Sequence, residues 1–304
     1  MENPLRGIAL TFVSTFVFSL SDAAGKFLTG YLPITEIVWI RYVIFVAFAL
    51  ALVTRSGPGR FHVRKPGLQI LRGLGLLVSA LFFIFSLRYL PLADASAIGF
   101  ISPLLTSMLA IPLLGEVVGL HRWIGGIVGL LGVIVVVRPG TGAFHPAALL
   151  VLLSSTSWAF SSVLTRILVG ADSPTATLIW SAATGAIVLT AVQPFDFAIP
   201  TAFQFALLLT LGIIASGGQY LTVLAYRHAP ASVLAPFNYV QLVWATALGY
   251  LVFSAVPDLW TFVGAGIIVA SGLYTLQHER GERRRALTLE NAAPPRSAPA
   301  TPRA

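Results

Sequence analysis

Apolar runs of 18 or more residues follow one another from Leu5 to Gln277, separated by short polar segments. Only 10% of the residues are charged, whereas a soluble protein carries about 25%. Water does not solvate that much apolar surface, but a bilayer does, because helices satisfy their own backbone hydrogen bonds. The chain is therefore predicted to be an all-α integral membrane protein with many spans.

The apolar runs divide into ten predicted transmembrane helices with short connections. Their predicted bounds are 5–28, 33–54, 66–90, 91–114, 120–138, 145–169, 173–193, 202–229, 230–253 and 258–277. The first run lacks a small-residue cleavage site and is long enough to span, so we expect a first helix and not a cleaved signal peptide. Residues 278–304 are rich in Arg, Ala and Pro and are expected to form a disordered basic tail.

Basic residues are distributed unevenly between the two sides of these spans. With a cytoplasmic N-terminus, fifteen Lys and Arg residues fall on the inner side and three, Lys26, Arg88 and Arg138, on the outer side. Cytoplasmic loops of membrane proteins carry such an excess. Both termini are therefore predicted to be cytoplasmic. The net charge of +8 then reflects topology and contact with anionic lipid headgroups, and no nucleic-acid partner is expected.

The absence of several residue types and motifs excludes other functions. There is no cysteine, so disulfides, thiolate metal sites and cysteine nucleophiles are ruled out. The five histidines fall at span ends, in loops or in the tail, and the Walker, nucleophile-elbow and HExxH motifs are missing from the sequence. We expect no enzymatic activity, metal or cofactor, and keep an intramembrane enzyme as a remote alternative.

The segment 87–116, LRYLPLADASAIGFISPLLTSMLAIPLLGE, has a weaker copy about 139 residues later, at 226–244, in which Phe100 falls on Tyr239. A shift of 140 also places span one on span six: Ser14 on Ser154, Phe18 on Trp158 and Ser21 on Ser161. Each half, 5–138 and 145–277, has five spans. Because five is odd, the second half enters from the opposite side, and inverted repeats of this kind are typical of secondary transporters.

With these motifs the sequence resembles the EamA-type permeases of the drug/metabolite transporter superfamily. The resemblance covers residues 5–277 and is carried by Arg41 in span two, LRYLPLADASAIGFISPLL, the LLGE ending at Glu116, and WIGGIVGLLGVIVVVRPG at 123–140. The second half departs from the pattern with Phe-Ser-Ala at 253–255, where a second Leu-Gly-Glu is common. The resemblance implies a central cavity between spans one to four and six to nine, with spans five and ten set apart.

The resemblance also implies a secondary transporter that moves a small amphipathic metabolite outward by alternating access. Amino acids, aromatic ones among them, are the expected substrates, and nucleotide-type or other anionic metabolites are the alternative. Phosphates would favour several cationic residues in the cavity, and Arg41 is the clearly embedded one. The expected location is the bacterial cytoplasmic (inner) membrane, with the small-molecule substrate and the lipid bilayer as partners; a homodimer is left open.

Polar and aromatic residues at helical spacing are the candidates for the cavity wall. Amides in hydrocarbon are costly unless partnered, and Trp158 lies near mid-span on a serine-lined face. The alternative for each serine is a hydrogen bond to a helix carbonyl or to a neighbouring helix. The predicted substrate-binding residues are Ser14, Phe18, Ser21, Phe83, Phe100, Trp158, Ser161, Gln219, Tyr220, Asn238 and Gln241.

Four charged residues near the outer ends of spans one and two are predicted to pair between adjacent helices, Asp22 with Arg41 and Lys26 with Glu36. Counted inward at 1.5 Å per residue, Asp22 lies about 9 Å deep and Arg41 about 10 Å deep. Charges inside a membrane usually pair. These residues are predicted to form an outer gate or a proton-coupling site, with purely structural pairing as the alternative.

Overall fold

The computed structural model describes residues 4–54, 63–114, 120–139, 145–168, 171–228, 234 and 237–292. Glu116 of the LLGE motif and the copy of the hairpin turn near Pro230 lie outside the described residues. The described helices are α1 (Pro4–Leu28), α2 (Ile34–Thr54), α3 (Pro66–Leu87), α4 (Leu92–Gly99), α5 (Ser102–Leu114), α6 (Leu120–Val137), α7 (Ala147–Leu168), α8 (Pro174–Val192), α9 (Ala202–His228), α10 (Val240–Phe253) and α11 (Leu259–Ala292), with a 3₁₀ turn at Gln193–Phe195.

The chain is a multi-pass α-helical membrane protein. Within the described ranges there is no β-strand, and seven helical segments are long and apolar enough to cross a membrane, with α4 and α5 counted as one. Shorter apolar segments lie in α6, α10 and α11. An all-helical membrane protein is thus confirmed.

Proline and small polar residues set several helix ends. Pro66 is the first residue of α3, where its missing N–H costs nothing. Ser173 caps α8 by accepting a 3.1 Å hydrogen bond from the backbone N–H of Ala176. At the end of α10, Ser254 takes the left-handed conformation (φ 52°), and the Ala255 N–H donates to the Gly249 carbonyl at 3.1 Å. Such a closure satisfies the last carbonyls of a helix.

Helices from the two halves of the sequence pack against each other. The main pairs are α1 with α9, α3 with α7, α2 with α8, and α6 with α11. In addition, α1 contacts α10, α5 contacts α7, α2 contacts α9, and α3 contacts α8. The α6–α11 pair contacts the remaining helices mainly through α4 and α5.

Glycines allow the close approach of α6 and α11. A Cβ on Gly264 would lie 2.6 Å from the Gly132 carbonyl oxygen, and one on Gly132 would lie 2.9 Å from the Gly264 carbonyl oxygen. Small residues at such contacts are the usual means of helix association in lipid, where there is no hydrophobic driving force between helices. The glycine-rich sequences of the two helices therefore explain why they pair.

The last helix extends farther than the sequence analysis expects. It continues beyond His278 to Ala292, through a stretch for which disorder is predicted. This stretch is rich in Glu, Arg, Ala and Leu, and all four residue types are strong helix formers. The Pro-containing end of the tail, 293–304, lies outside the described residues.

Candidate substrate site

The fourth span is broken at Phe100 and Ile101, between α4 and α5. Pro103 has no N–H, so it cannot bond to the carbonyl of Gly99, four residues earlier. The hydroxyl of Ser155 in α7 donates to that carbonyl at 3.4 Å. Irregular backbone at membrane depth is tolerated where protein or a polar cavity surrounds it. The break is therefore held by the neighbouring helix.

The rings of Phe100 and Tyr239 are in contact, with centroids 5.1 Å apart. Phe100 lies at the break in span four, and Tyr239 immediately precedes α10. The Tyr239 hydroxyl reaches α11, where it fills the space above Gly272. The two positions that the sequence copy relates are thus brought together in the structure.

Phe18 lies on the face of α1 between the positions that contact α9 and α10. The hydroxyl of Ser21 donates to the Leu211 carbonyl of α9 at 3.5 Å, and that of Ser19 donates to the Gln241 carbonyl of α10 at 3.3 Å. The Phe18 ring packs against Gly218, where an added Cβ would lie 3.3 Å from it. Phe18 remains partly exposed.

Trp158 occupies the same angular position on α7, between the contacts with α3 and with the span-four break. The hydroxyl of Ser161 donates to the Arg72 carbonyl of α3 at 3.1 Å, and Ser155 donates to Gly99. Helical spacing places Trp158 between these two serines. It is 47% exposed, so its ring faces open space beside packed helices.

The three predicted serines have structural partners. Ser14 donates to the Thr11 carbonyl of its own helix at 3.0 Å, and Ser21 and Ser161 donate to carbonyls of α9 and α3. All three are buried. In this conformation their hydroxyl protons are used in helix packing, which is the alternative role that the sequence analysis keeps open.

The amides and remaining aromatic residues are more accessible. The side chains of Gln219, Asn238 and Gln241 are partly exposed, and their amides make no hydrogen bond within the described part of the chain. Tyr220 is 38% exposed and meets Phe48 edge-on. These side chains, like those of Phe18 and Trp158, are accessible to a solute.

Lys26 and Glu36 have different partners from those predicted. The Lys26 ammonium donates to the carbonyls of Leu87 and Leu90 at 2.7 and 2.6 Å and lies 5.4 Å from the ring centroid of Phe253. An open cleft of about 390 Å³ lies beside it. Glu36 instead accepts from the backbone N–H of Ala198 at 3.1 Å. Lys26 therefore caps the end of α3, and the expected Lys26–Glu36 pair is not formed.

Asp22 and Arg41 lie near the same level of α9. Asp22 is 9% exposed. Ser21, beside Asp22, bonds to Leu211, while Gly212 packs against Ile44, one turn after Arg41. No hydrogen bond joins the two side chains within the described ranges. The two side chains are not in direct contact in this conformation, and their pairing as a gate or proton-coupling site stays a prediction.

Arg72, which the sequence analysis counts among the fifteen basic residues of the inner side, is a buried charge. Its guanidinium donates to Thr165 at 2.7 Å, to the Thr177 carbonyl at 3.4 Å and to Ser181. Arg72 is only six residues into α3 and close in sequence to the basic residues of the preceding loop, so its burial is not evident from the sequence. Its distance from Pro66, nearly two helical turns, is the feature that could have indicated a buried position.

A second polar contact lies next to Arg72. Gln69 donates to Asp172 at 2.8 Å and to Thr177 at 3.0 Å. The Asp172 carboxylate also accepts from the Arg64 backbone N–H at 2.7 Å, and this bond is the main reason why the pKa of Asp172 lies below its usual value. These contacts fasten α3 to the start of α8.

An all-helical membrane bundle whose interior holds aromatic rings, accessible amides and a few charges is the architecture of a membrane transport protein. A sequence profile of the EamA-like transporter family matches the chain twice, over residues 5–138 and 145–276. The chain belongs to the EamA-like transporter family. The predicted family resemblance is thereby confirmed.

Several relatives are named transporters. The chain is 29% identical over 280 residues to the S-adenosylmethionine uptake transporter of Rickettsia prowazekii, spanning 92% of this chain and 95% of the relative. It is 28% identical over 275 residues to the riboflavin transporter of Rhizobium johnstonii, spanning 88% and 90%. The pseudopaline exporter of Pseudomonas aeruginosa is 27% identical over 277 residues, spanning 90% and 97%. A solved crystal structure shares the fold with a TM-score of 0.63 at 18% identity, covering 91% of this chain and 98% of that one.

Proposed function

We propose that the chain is a secondary transporter in which two inverted five-helix repeats, 5–138 and 145–277, alternate around a central site. One pair of hydrogen bonds carries this proposal. Ser21 bonds to the carbonyl of Leu211, and Ser161 bonds to the carbonyl of Arg72. A shift of 139 or 140 residues exchanges both partners, so the two bonds are equivalent under the proposed repeat.

The helix pairs support the same symmetry. Exchanging the halves turns the α1–α9 pair into α7–α3, and the α1–α10 contact into α7–α5, and all four contacts are present. The pairs α2–α8 and α6–α11 map onto themselves. The family profile also matches each half separately. Inverted halves with equivalent contacts can exchange conformations, which opens a central site to one side and then the other.

The proposed substrate is a small metabolite that joins a flat ring to polar groups. Phe18, Trp158 and the Phe100–Tyr239 pair would bind the ring, and the amides of Gln219, Asn238 and Gln241 would bind the polar groups. Aromatic amino acids fit this description, and we propose outward transport. Uptake of a nucleoside-like or flavin-like metabolite is the second candidate, because named relatives transport S-adenosylmethionine and riboflavin.

The substrate and direction are tested with purified protein in liposomes of both orientations. Labelled aromatic amino acids, S-adenosylmethionine and riboflavin are compared, with and without a proton gradient. We expect saturable movement of at least one ring-containing substrate, and counterflow when unlabelled substrate is on the far side. Failure of the entire panel in both orientations would contradict the proposed substrate class.

Trp158→Ala is expected to lower transport about tenfold, because an aromatic ring contact contributes roughly 1 kcal/mol or more and 1.4 kcal/mol is a factor of ten. The matched control is Trp260→Ala in α11, which removes a half-exposed indole from a helix outside the proposed cavity. Both variants are compared for initial rate at equal amounts of monodisperse protein. Equal rates for Trp158→Ala and the control would remove Trp158 from the cavity wall.

Cysteine labelling tests the proposed orientation, in which both termini are cytoplasmic. The native chain has no cysteine, so each introduced thiol is unique. Lys65→Cys and Thr201→Cys place thiols at exposed sites before α3 and α9. An impermeant maleimide added to intact cells should label position 201 and leave position 65 unlabelled until the cells are opened. The reverse pattern would invert the topology.

A further inference from the structure

Four oxygen-bearing side chains converge where α2 begins and α8 ends. Thr35 donates to the Asp196 carboxylate at 2.6 Å, and Gln193 donates through its amide nitrogen to the Asp196 carbonyl at 3.2 Å. Glu36 accepts from the backbone N–H of Ala198 at 3.1 Å. The first turn of α2 is thus bound to the short segment that follows α8.

Two side-chain oxygens in this cluster are buried and accept no hydrogen bond from the described residues: Glu36 Oε1 and Gln193 Oε1. Glu36 is 0% exposed and Gln193 is 7% exposed. The orientation of the Gln193 amide is fixed, because its nitrogen must face the Asp196 carbonyl. Buried acceptors without a partner are rare and unfavourable, so these two oxygens indicate a missing electropositive partner.

The charge of the cluster indicates what that partner is. Glu36 and Asp196 are close enough to act on each other electrostatically, and neither forms an ion pair with Lys or Arg in the described ranges. The buried Glu36 carboxylate has no cationic side chain to offset its charge, which is unfavourable, and the solvent-exposed Asp196 carboxylate beside it adds a second negative charge. Carboxylate and amide oxygens are the preferred ligands of hard cations, and Ca²⁺ takes six to eight of them at about 2.3–2.6 Å.

We propose that Glu36, Gln193 and Asp196 bind a hard divalent cation of the Ca²⁺ type. One such ion neutralises both carboxylates and supplies the partner for both buried oxygens. Thr35 holds the Asp196 carboxylate in place as an outer hydrogen-bond donor. The ion fastens the connection between α8 and α9 to the start of α2. This site is separate from the proposed transport site and does not depend on the direction of transport.

The test is thermal unfolding of the full-length protein in detergent after treatment with a chelator. Adding Ca²⁺ should raise the unfolding temperature saturably, by about 5 °C or more at a hundredfold excess over the dissociation constant. Glu36→Gln and Asp196→Asn should each abolish the shift, and Gln193→Leu should weaken the apparent affinity about tenfold. Tb³⁺ luminescence excited through Trp39, one turn from Glu36, should give the same order of affinities.

Asp258→Asn is the matched control, because it also removes a carboxylate at the start of a helix. Asp258 pairs with Arg138 and lies away from this cluster. Its Ca²⁺-induced shift should equal that of the unaltered chain. If Glu36→Gln does not fold, the variants of the exposed Asp196 and of Gln193 still decide the outcome. The proposal is overturned if Ca²⁺ gives no shift, if the shift persists in the Asp196 and Gln193 variants, or if Na⁺ alone produces it. Stabilisation by Glu36→Gln without any cation would identify a protonated carboxyl instead and would also overturn it.

Discussion

Gly264→Leu is expected to separate α6 from α11 and to be among the most destabilising single changes in the chain. A Cβ at this position would lie 2.6 Å from the Gly132 carbonyl oxygen and 3.0 Å from the Val136 backbone nitrogen. Backbone atoms cannot rotate away as a side-chain end can, so the helices must move apart. Overpacking of this kind costs about 3 kcal/mol, which lowers the unfolding temperature by roughly 6–12 °C.

The matched control lies two residues away on the same helix. A Cβ on Gly266 meets nothing within 4 Å, and Gly266 is exposed. Gly266→Leu should therefore change stability little or raise it slightly, because Leu has the higher helix propensity. Unfolding temperature and the monodisperse fraction are compared for both variants. Equal losses would show that a glycine in α11 matters for a reason other than its contact with α6.

The all-helical membrane class was predictable from the sequence, because the signal of apolar helices is local. The boundary predicted between spans three and four coincides with Pro91, which precedes α4. The glycines of predicted span five form the α6–α11 contact, although the sequence analysis does not predict that pair. The predicted bounds give span four as one helix, 91–114, whereas the structure breaks it at Phe100 and Ile101. In the structure, the Ser155 hydroxyl donates to the Gly99 carbonyl, to which Pro103 cannot bond. That donor lies in another helix, and its register is not encoded near Pro103.

The candidate site was predictable in its residue types but not in their partners. Matching depths suggested that Lys26 pairs with Glu36, yet depth does not reveal which connecting segments fold over a helix end. Lys26 is instead bound by the turn after α3, and Glu36 by the segment after α8. Likewise, no pattern within one helix shows whether Ser21 faces a carbonyl or a cavity. Such choices depend on the register between helices.

Neutralising Asp22 or Arg41 alone is expected to reduce the folded yield more than neutralising both. Asp22 is buried, and Arg41 is the charged residue that is predicted to pair with it. An isolated charge at this depth is unfavourable by about 3 kcal/mol on insertion scales. Asp22→Asn leaves Arg41 without an opposite charge, and Arg41→Gln leaves Asp22 without an opposite charge. The double variant contains neither charge and should recover most of the lost yield.

A double-mutant cycle measured on yield and on transport separates the possible roles of this pair. Recovery of both quantities in the double variant indicates a structural pair. Recovery of yield without recovery of gradient-driven transport indicates that Asp22 also carries a coupling proton.

The control is the double variant Arg41→Gln with Asp258→Asn, since Asp258 pairs with Arg138 at α11. The effects of these two substitutions should be additive. Additive effects for Asp22 and Arg41 as well would mean that the two residues do not interact. In that case, the contacts of Ser21 (α1) and Ile44 (α2) with neighbouring residues of α9 reflect helix packing only.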